Sequence, residues 1–318
     1  MKKLIICLIV LSSLLTPSFA AEKTLTILHT NDVHGNLLPR DYKGADGFVL
    51  TSAGGMAMRA TMIREARAST KGPVIYLDAG DIFLGDSRSP FMGVPEFECM
   101  SAMGVDAAVL GNHDFEASEG PESQAMLADL IDNAAFPVLC GNVSDPSGRL
   151  KPKPYVIIRK DGLRIGVFGV TAKRTEEYPQ CAGLVFDDPI ETTEKIIGEM
   201  RGKYDFLIAL THVSYGVDAV LAIRFPEIDV IVGGDSHTWL RSPRKFTSHK
   251  RQYEPEETGG TLCVQDGEFG VCLGRLDMVL TDIGGRYRVK SYSGKLVPVR
   301  DVRPDPSINE ILRKYIKE

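Results

Sequence analysis

Apolar residues along this chain come in short runs that end abruptly in small, polar or charged residues. The runs Thr24–His29, Val74–Leu77, Ala107–Leu110, Pro137–Cys140, Arg164–Val170, Phe206–Leu210 and Val230–Val232 are short, β-rich and bounded by turn formers, which predicts strands. Segments with helical spacing lie between them, at Gly55–Ala68, Glu119–Ala134 and Glu191–Arg201. This alternation predicts α/β layering in which helices cover the sheet faces. After Gly259 the pattern turns to hairpins: Thr261–Val264 is expected to pair with Val271–Val279, followed by Arg286–Tyr292 and a short helix from Ser307. No linker, repeat or low-complexity tract interrupts residues 21–318, so one domain is expected there.

The N-terminus has a different pattern. Met1-Lys2-Lys3 precedes the apolar stretch Leu4–Leu15 and the small-residue site Ser18-Phe19-Ala20, the layout of a secretory signal peptide cut after Ala20. Its apolar core is too short to span a bilayer, and no later segment is long enough. The mature chain is therefore expected outside the cytoplasm, periplasmic or secreted, with no membrane span. Charge agrees with a small-molecule partner. The chain carries 37 Lys and Arg against 42 Asp and Glu; without Lys2 and Lys3 the balance is 35 minus 42, or −7, which argues against a nucleic-acid duplex. The mixed charges of Arg241–Glu257 read as a solvated loop.

Candidate chemistry sits where the strands end. Thr30-Asn31-Asp32-Val33-His34-Gly35 follows the first run, Asp78-Ala79-Gly80-Asp81 the second, and Gly111-Asn112-His113-Asp114 the third. Thr211-His212 and Gly233-Gly234-Asp235-Ser236-His237 follow the last two. Extended backbone would put Asp32 and His34 on the same side. Ligands of open α/β sheets bind beyond the carboxyl ends of strands, so five such ends can converge on one crevice. Carboxylates, imidazoles and an amide oxygen without thiolates suit Mn, Zn, Fe(II) or Mg. Two such ions, about 3.5–4 Å apart, form a clamp for displacement at phosphorus. Asp78 and Asp114 read as turn braces, Asp86 as a turn residue, His29 as a core histidine and His249 as solvated.

The motifs ILHTNDVHGNL (27–37), LDAGDIFLGD (77–86), AAVLGNHDFE (107–116), LTHVSYGVD (210–218) and DVIVGGDSHTWL (229–240), with VQDGEFGVCLGRLDM (264–278), resemble the calcineurin-like metallophosphoesterases. Among these they are most similar to the catalytic domain of the secreted 5'-nucleotidase branch. The resemblance implies a four-layer α/β/β/α sandwich with two divalent ions between the layers. By position, Asp32, His34 and His237 would hold one ion and Asn112, His212 and Asp235 the other, with Asp81 bridging. His113 would contact the phosphate and protonate the leaving oxygen, oriented by Glu116. A water activated by both cations would be the nucleophile.

Two departures from the family pattern matter. Position 235 is histidine there and aspartate here, which would make the second ion a weaker Lewis acid. The chain also ends at Glu318, where two-domain relatives continue into a base-reading domain. The expected activity is hydrolysis of phosphomonoesters such as 5'-nucleotides. Cyclic phosphodiesters or diphosphates are the alternative substrates, and a metal- or ligand-binding protein with little turnover is the alternative class. After leader removal five cysteines remain: Cys99, Cys140, Cys181, Cys263 and Cys272. If Asp266-Gly267-Glu268-Phe269 is a hairpin turn, Cys263 and Cys272 face each other, as a disulfide or as two packed thiols.

Overall fold

The computed structural model describes residues 22–44, 47–84, 91–118, 122–248 and 259–316. The leader, Asp86, His249 and the start of the helix expected from Glu119 lie outside the described residues. β1 (Glu22–Thr30) leads through a small hairpin, β2 (Arg40–Lys43) and β3 (Val49–Ala53), into α1 (Met56–Ser69). Next come β4 (Val74–Asp78), α2 (Val94–Met103), β5 (Ala107–Val109), α3 (Ser123–Asn133), β6 (Val138–Leu139) and β7 (Val143–Ser144). The middle of the chain holds β8 (Tyr155–Lys160), β9 (Leu163–Thr171), β10 (Val185–Phe186), α4 (Pro189–Met200), β11 (Phe206–His212) and α5 (Tyr215–Arg224). It closes with β12 (Val230–Gly233), β13 (Arg244–Phe246), β14 (Thr261–Val264), β15 (Cys272–Ile283), β16 (Arg286–Pro298) and α6 (Pro306–Leu312).

Two six-stranded sheets form the frame, in the orders β16-β15-β1-β4-β5-β6 and β13-β14-β12-β11-β9-β8. Four strands of each run parallel: β1, β4, β5 and β6 in the first sheet, and β9, β11, β12 and β14 in the second. Side-chain alternation explains the layers. Leu25 and Ile27 of β1 meet Phe206, Ile208 and Leu210 of β11 in the core between the sheets. The opposite parity faces outward. Leu28 and Tyr76 pack with Met56 and Ile63 of α1 and Phe97 of α2, while Leu207 and Ala209 pack with Ile196 of α4 and Leu221 of α5. Helices thus cover both outer faces, giving the expected α/β/β/α sandwich. Among the described residues no helix is long and apolar enough to cross a membrane.

The hairpin expected from Thr261–Val264 and Val271–Val279 does not form. β14 belongs to the second sheet, paired with β12 and β13, whereas β15 pairs with β1 and β16 in the first. The cause is a crossover pinned over the end of β1. Asp266 N donates to Asn31 Oδ1 at 2.8 Å, Asn31 N donates to Asp266 Oδ1 at 2.9 Å, and Phe269 N donates to Asp32 O at 2.7 Å. Cys263 therefore packs among the outer residues of the second sheet, and Cys272 packs under the β2–β3 hairpin. All five described cysteines are buried free thiols. Alkylation of the freshly unfolded protein, read by peptide mass spectrometry, is expected to label both Cys263 and Cys272; a peptide linking them would contradict this topology.

Candidate metal centre

Parallel strands in register bring their ends to one edge. Thr30 lies beside Asp78, and Thr211 beside Gly233. The loops that follow are knitted together by main-chain bonds: Asp32 N donates to Gly80 O and His34 N to Asp81 O, both at 2.9 Å. The backbone there is not extended, contrary to expectation. Asp32 and His34 have φ of 51° and 52°, and positive φ recurs at Asp81, Ser214, Asp235, His237 and Phe269. Each such non-glycine conformation costs roughly 1–3 kcal/mol and persists only where its surroundings over-determine it. The strain is concentrated where the polar side chains meet.

Two donor groups result, Asp32, His34 and His237 in one and Asp32, Asp81 and His212 in the other, with ligand-capable atoms within 4.8 Å of one another in each. His34 Nε2 and His237 Nε2 are 3.0 Å apart, and His237 Nε2 is 3.3 Å from Asp32 Oδ1. Asp81 Oδ2 lies 3.2 Å from His212 Nε2 and 3.9 Å from His34 Nδ1, between histidines of the two groups. Asn112 adds an amide at the same edge. Its Nδ2 donates to Tyr178 Oη at 2.9 Å, leaving Oδ1 buried with no hydrogen-bond partner. Asp235 falls outside both groups: its nearer oxygen is 3.9 Å from His212 Nε2, and its carboxylate accepts from Arg174 Nη2 and Ser214 Oγ.

The donors fit divalent cations. His212 Nε2, His34 Nδ1 and Asn112 Oδ1 are buried polar atoms with no hydrogen-bond partner, a costly arrangement unless something else satisfies them. The far ring nitrogens are already occupied: His212 Nδ1 is 2.7 Å from Ala79 O, and His237 Nδ1 is 3.0 Å from Glu268 Oε2. Such outer partners aim the imidazole and raise its basicity. Hydrogen bonds from the His237 ring to the Asp32 and Glu268 carboxylates, together outweighing burial, push its pKa up to about 10. Gly234 permits the crossing of these loops, because a Cβ there would sit 2.7 Å from both Ala79 O and His212 Nδ1.

His113 stands at the rim, T-shaped against His34 with ring centroids 5.5 Å apart, and its Nδ1 is 2.7 Å from Glu116 Oε2. Burial disfavours its charge, but the Glu116 hydrogen bond and the charges of Asp81, Glu116 and Asp114 prevail, so its pKa lies above the ordinary value. Asp114 is the expected brace, accepting from the amides of Asp81, Ile82 and Gly111. Asp78 braces too, accepting from Thr30 Oγ1 at 2.5 Å and Gly80 N at 3.1 Å. His29 is a core residue as expected, and burial drives its pKa down to about 3, though its Nδ1 has no hydrogen-bond partner.

Sequence reasoning assigned no role to Arg174, Tyr178, Ser214 and Glu268, which touch Asp235, Asn112 and His237; Ser214 and Glu268 lie inside quoted motifs, Arg174 and Tyr178 outside them. It also missed Asp218 of α5, which accepts from Thr211 Oγ1 at 2.6 Å and Gln265 Nε2 at 3.1 Å beneath the site.

Parallel strand ends of two packed mixed sheets, joined by carboxylates, imidazoles and an amide, define the metal-centred phosphoesterase class. The chain belongs to the calcineurin-like phosphoesterase family, whose pattern it matches over residues 25–239. It is 34% identical to a 5'-nucleotidase of Vibrio cholerae over 88% of this chain and 52% of the relative. It is 30% identical to a 5'-nucleotidase of Vibrio vulnificus over 94% of this chain and 60% of that relative. The crystal structure of a 5'-nucleotidase precursor from Thermus thermophilus superposes with a TM-score of 0.79 at 30% identity, over 92% of this chain and 58% of that one. The chain thus spans little more than half the length of the relatives it matches.

Replacing Glu116 with Gln removes the carboxylate that raises His113. In an NMR titration of the protein stripped of metal by chelation, the His113 pKa is expected to fall by about one pH unit or more. An unchanged midpoint would mean that Glu116 does not control this imidazole.

Proposed function

We propose that this protein is an exported, metal-dependent phosphoester hydrolase acting on phosphomonoesters, with 5'-nucleotides as the substrate class. The observation that carries the reading is the pair of donor groups meeting at Asp32, with the Asp81 carboxylate between His34 and His212. Support for the substrate comes from the relatives, which are named 5'-nucleotidases. Support for export comes from the leader-like residues 1–20. Asp32, His34 and His237 would hold one divalent cation, Asn112 and His212 a second, and Asp81 both. When bound, such cations polarise phosphoryl oxygens and make water more acidic.

The protein's own groups do the rest. Glu268 and the Ala79 carbonyl orient His237 and His212, so that each presents Nε2. Tyr178 fixes the Asn112 amide with its oxygen inward. Glu116 holds His113 at Nδ1 and favours its protonated form, leaving Nε2 to give a proton to the departing oxygen. Asp114 and Asp78 keep the loops after β4 and β5 in place.

The test is a hydrolysis panel of 5'-nucleotides, cyclic nucleotides and aryl phosphates with protein reconstituted in Mn or Zn, alongside elemental analysis. Two ions per chain and turnover of 5'-nucleotides are expected, both lost in Asp81→Ala. His113→Ala should keep its ions while kcat falls by roughly 10²–10⁴-fold. Ion-loaded protein that hydrolyses no member of the panel would refute the proposal.

A further inference from the structure

Both oxygens of the Asp235 carboxylate already have protein partners, and Oδ1 also lies 3.9 Å from His212 Nε2. One accepts from Arg174 Nη2 and the other from Ser214 Oγ. Its own amide is tied back to the centre, with Asp235 N 3.1 and 3.2 Å from the two Asp32 oxygens. Asp235 and Ser214 both have positive φ, at 76° and 73°, so the backbone is held under strain in the position that presents this carboxylate to Arg174. The main chain of Asp235 is bonded to a carboxylate of the cluster, while its own carboxylate is held by Arg174 and Ser214.

Arg174 lies on a 3-10 turn, Lys173–Glu177, just after β9. Tyr178, the residue that follows this turn, accepts from Asn112 Nδ2, and its ring centroid is 6.0 Å from that of His113. One short segment therefore brings a guanidinium and a phenol to the rim where Asn112 and His113 stand. The Asp235 side chain is 2% exposed and that of Arg174 is 53% exposed, so the cation is anchored at one end and open to solvent at the other. A guanidinium carries five N–H donors in a planar fork. The bond to Asp235 is the hydrogen bond the described residues give it.

Charge makes the same point. A lone aspartate at this position would lower the charge of the centre by one and weaken its attraction for a dianionic phosphate. Arg174 cancels that charge and adds donors whose geometry suits phosphate oxygens. We propose that Arg174 is the phosphate clamp of this centre and that Asp235 is its anchor, a positioning residue rather than an ion ligand. The inference rests on the phosphoester reading above. It assigns position 235 a different task from the second-ion ligand expected from the sequence. The second ion then rests on Asn112, His212 and Asp81, while the Asp235–Arg174 pair contributes no net charge and a directed grip on the substrate's phosphoryl group.

The test uses the full chain loaded with Mn, in the parent, Arg174→Gln, Arg174→Lys and Asp235→Gly. Glycine adopts the left-handed backbone of position 235 without strain and offers no ligand atom. Ion content is measured by elemental analysis, inorganic phosphate binding by calorimetry, and kcat and KM on the best substrate of the panel. All variants are expected to keep two ions. Arg174→Gln should weaken phosphate binding by about 10–100-fold, the loss expected for a charged hydrogen-bonding partner, and should raise KM more than it lowers kcat. Arg174→Lys should recover part of the loss, and adding Asp235→Gly to Arg174→Gln should cost little more than Arg174→Gln alone. Phosphate binding unchanged in Arg174→Gln would overturn the clamp, and loss of one ion in Asp235→Gly would make Asp235 a ligand and overturn the anchor. Ion-loaded parent protein that neither binds phosphate nor hydrolyses the panel would instead sink the phosphoester reading, and this inference with it.

Discussion

Asp32 and Asp81 are buried, at 0% and 2% exposure, just past the ends of β1 and β4, two strands largely buried in the core. An ionised carboxylate in such a place is stable only if cationic groups and hydrogen bonds surround it. Imidazoles stand ready to fill that need: His212 lies 3.2 Å from Asp81, and His237 3.3 Å from Asp32. Burial opposes the charge on Asp81, yet His212 and His34 hold its carboxyl well below the usual carboxylate range. Burial likewise opposes charge on His212, yet Asp81 and Asp32 raise it well above the imidazole norm. Divalent cations would take the place of these protons, so ion uptake and proton release are two sides of one equilibrium.

The rest of the fold keeps those carboxylates together. Parallel strands in both sheets deliver them to a common edge, and the inter-sheet core of Ile27, Leu77, Ile208 and Val232 fixes the distance between the two halves. Around the centre the loops leave little freedom. Asp114 clasps the loops after β4 and β5, the Asn31–Asp266 pair ties the crossover to β1, and Gly234 lets the loop after β12 pass the His212–Ala79 contact. The positive φ values at Asp32, His34, Asp81 and His237 are tolerated because these bonds over-determine the loops.

Much of this was legible in the sequence where residues act locally. The runs from Thr24, Val74, Arg164, Phe206 and Val230 became β1, β4, β9, β11 and β12, because a strand buried on both faces needs continuous apolarity. The polar residues ending them reach the centre because they have nowhere else to go. α2 was missed because Pro95, Phe97, Cys99, Met100 and Met103 are buried around much of its circumference, which erases the amphipathic stripe. The β14–β15 hairpin was misread because apolar alternation is the same whether a strand pairs with its neighbour or with β1. The Asp32 and His34 loop was expected to be extended, and no pattern signals left-handed backbone imposed by a neighbouring loop. The roles of Arg174 and Glu268 were invisible for a related reason: each acts on a residue distant in sequence, Asp235 and His237.

The central claim is that the buried carboxylates exist to share two cations. Anomalous diffraction from crystals grown with Mn, collected near the manganese edge, tests it directly. Two anomalous peaks flanking the Asp81 carboxylate, one beside His34 and His237 and the other beside His212 and Asn112, are the expected result. A single peak, or density confined to solvent-exposed acids, would contradict it.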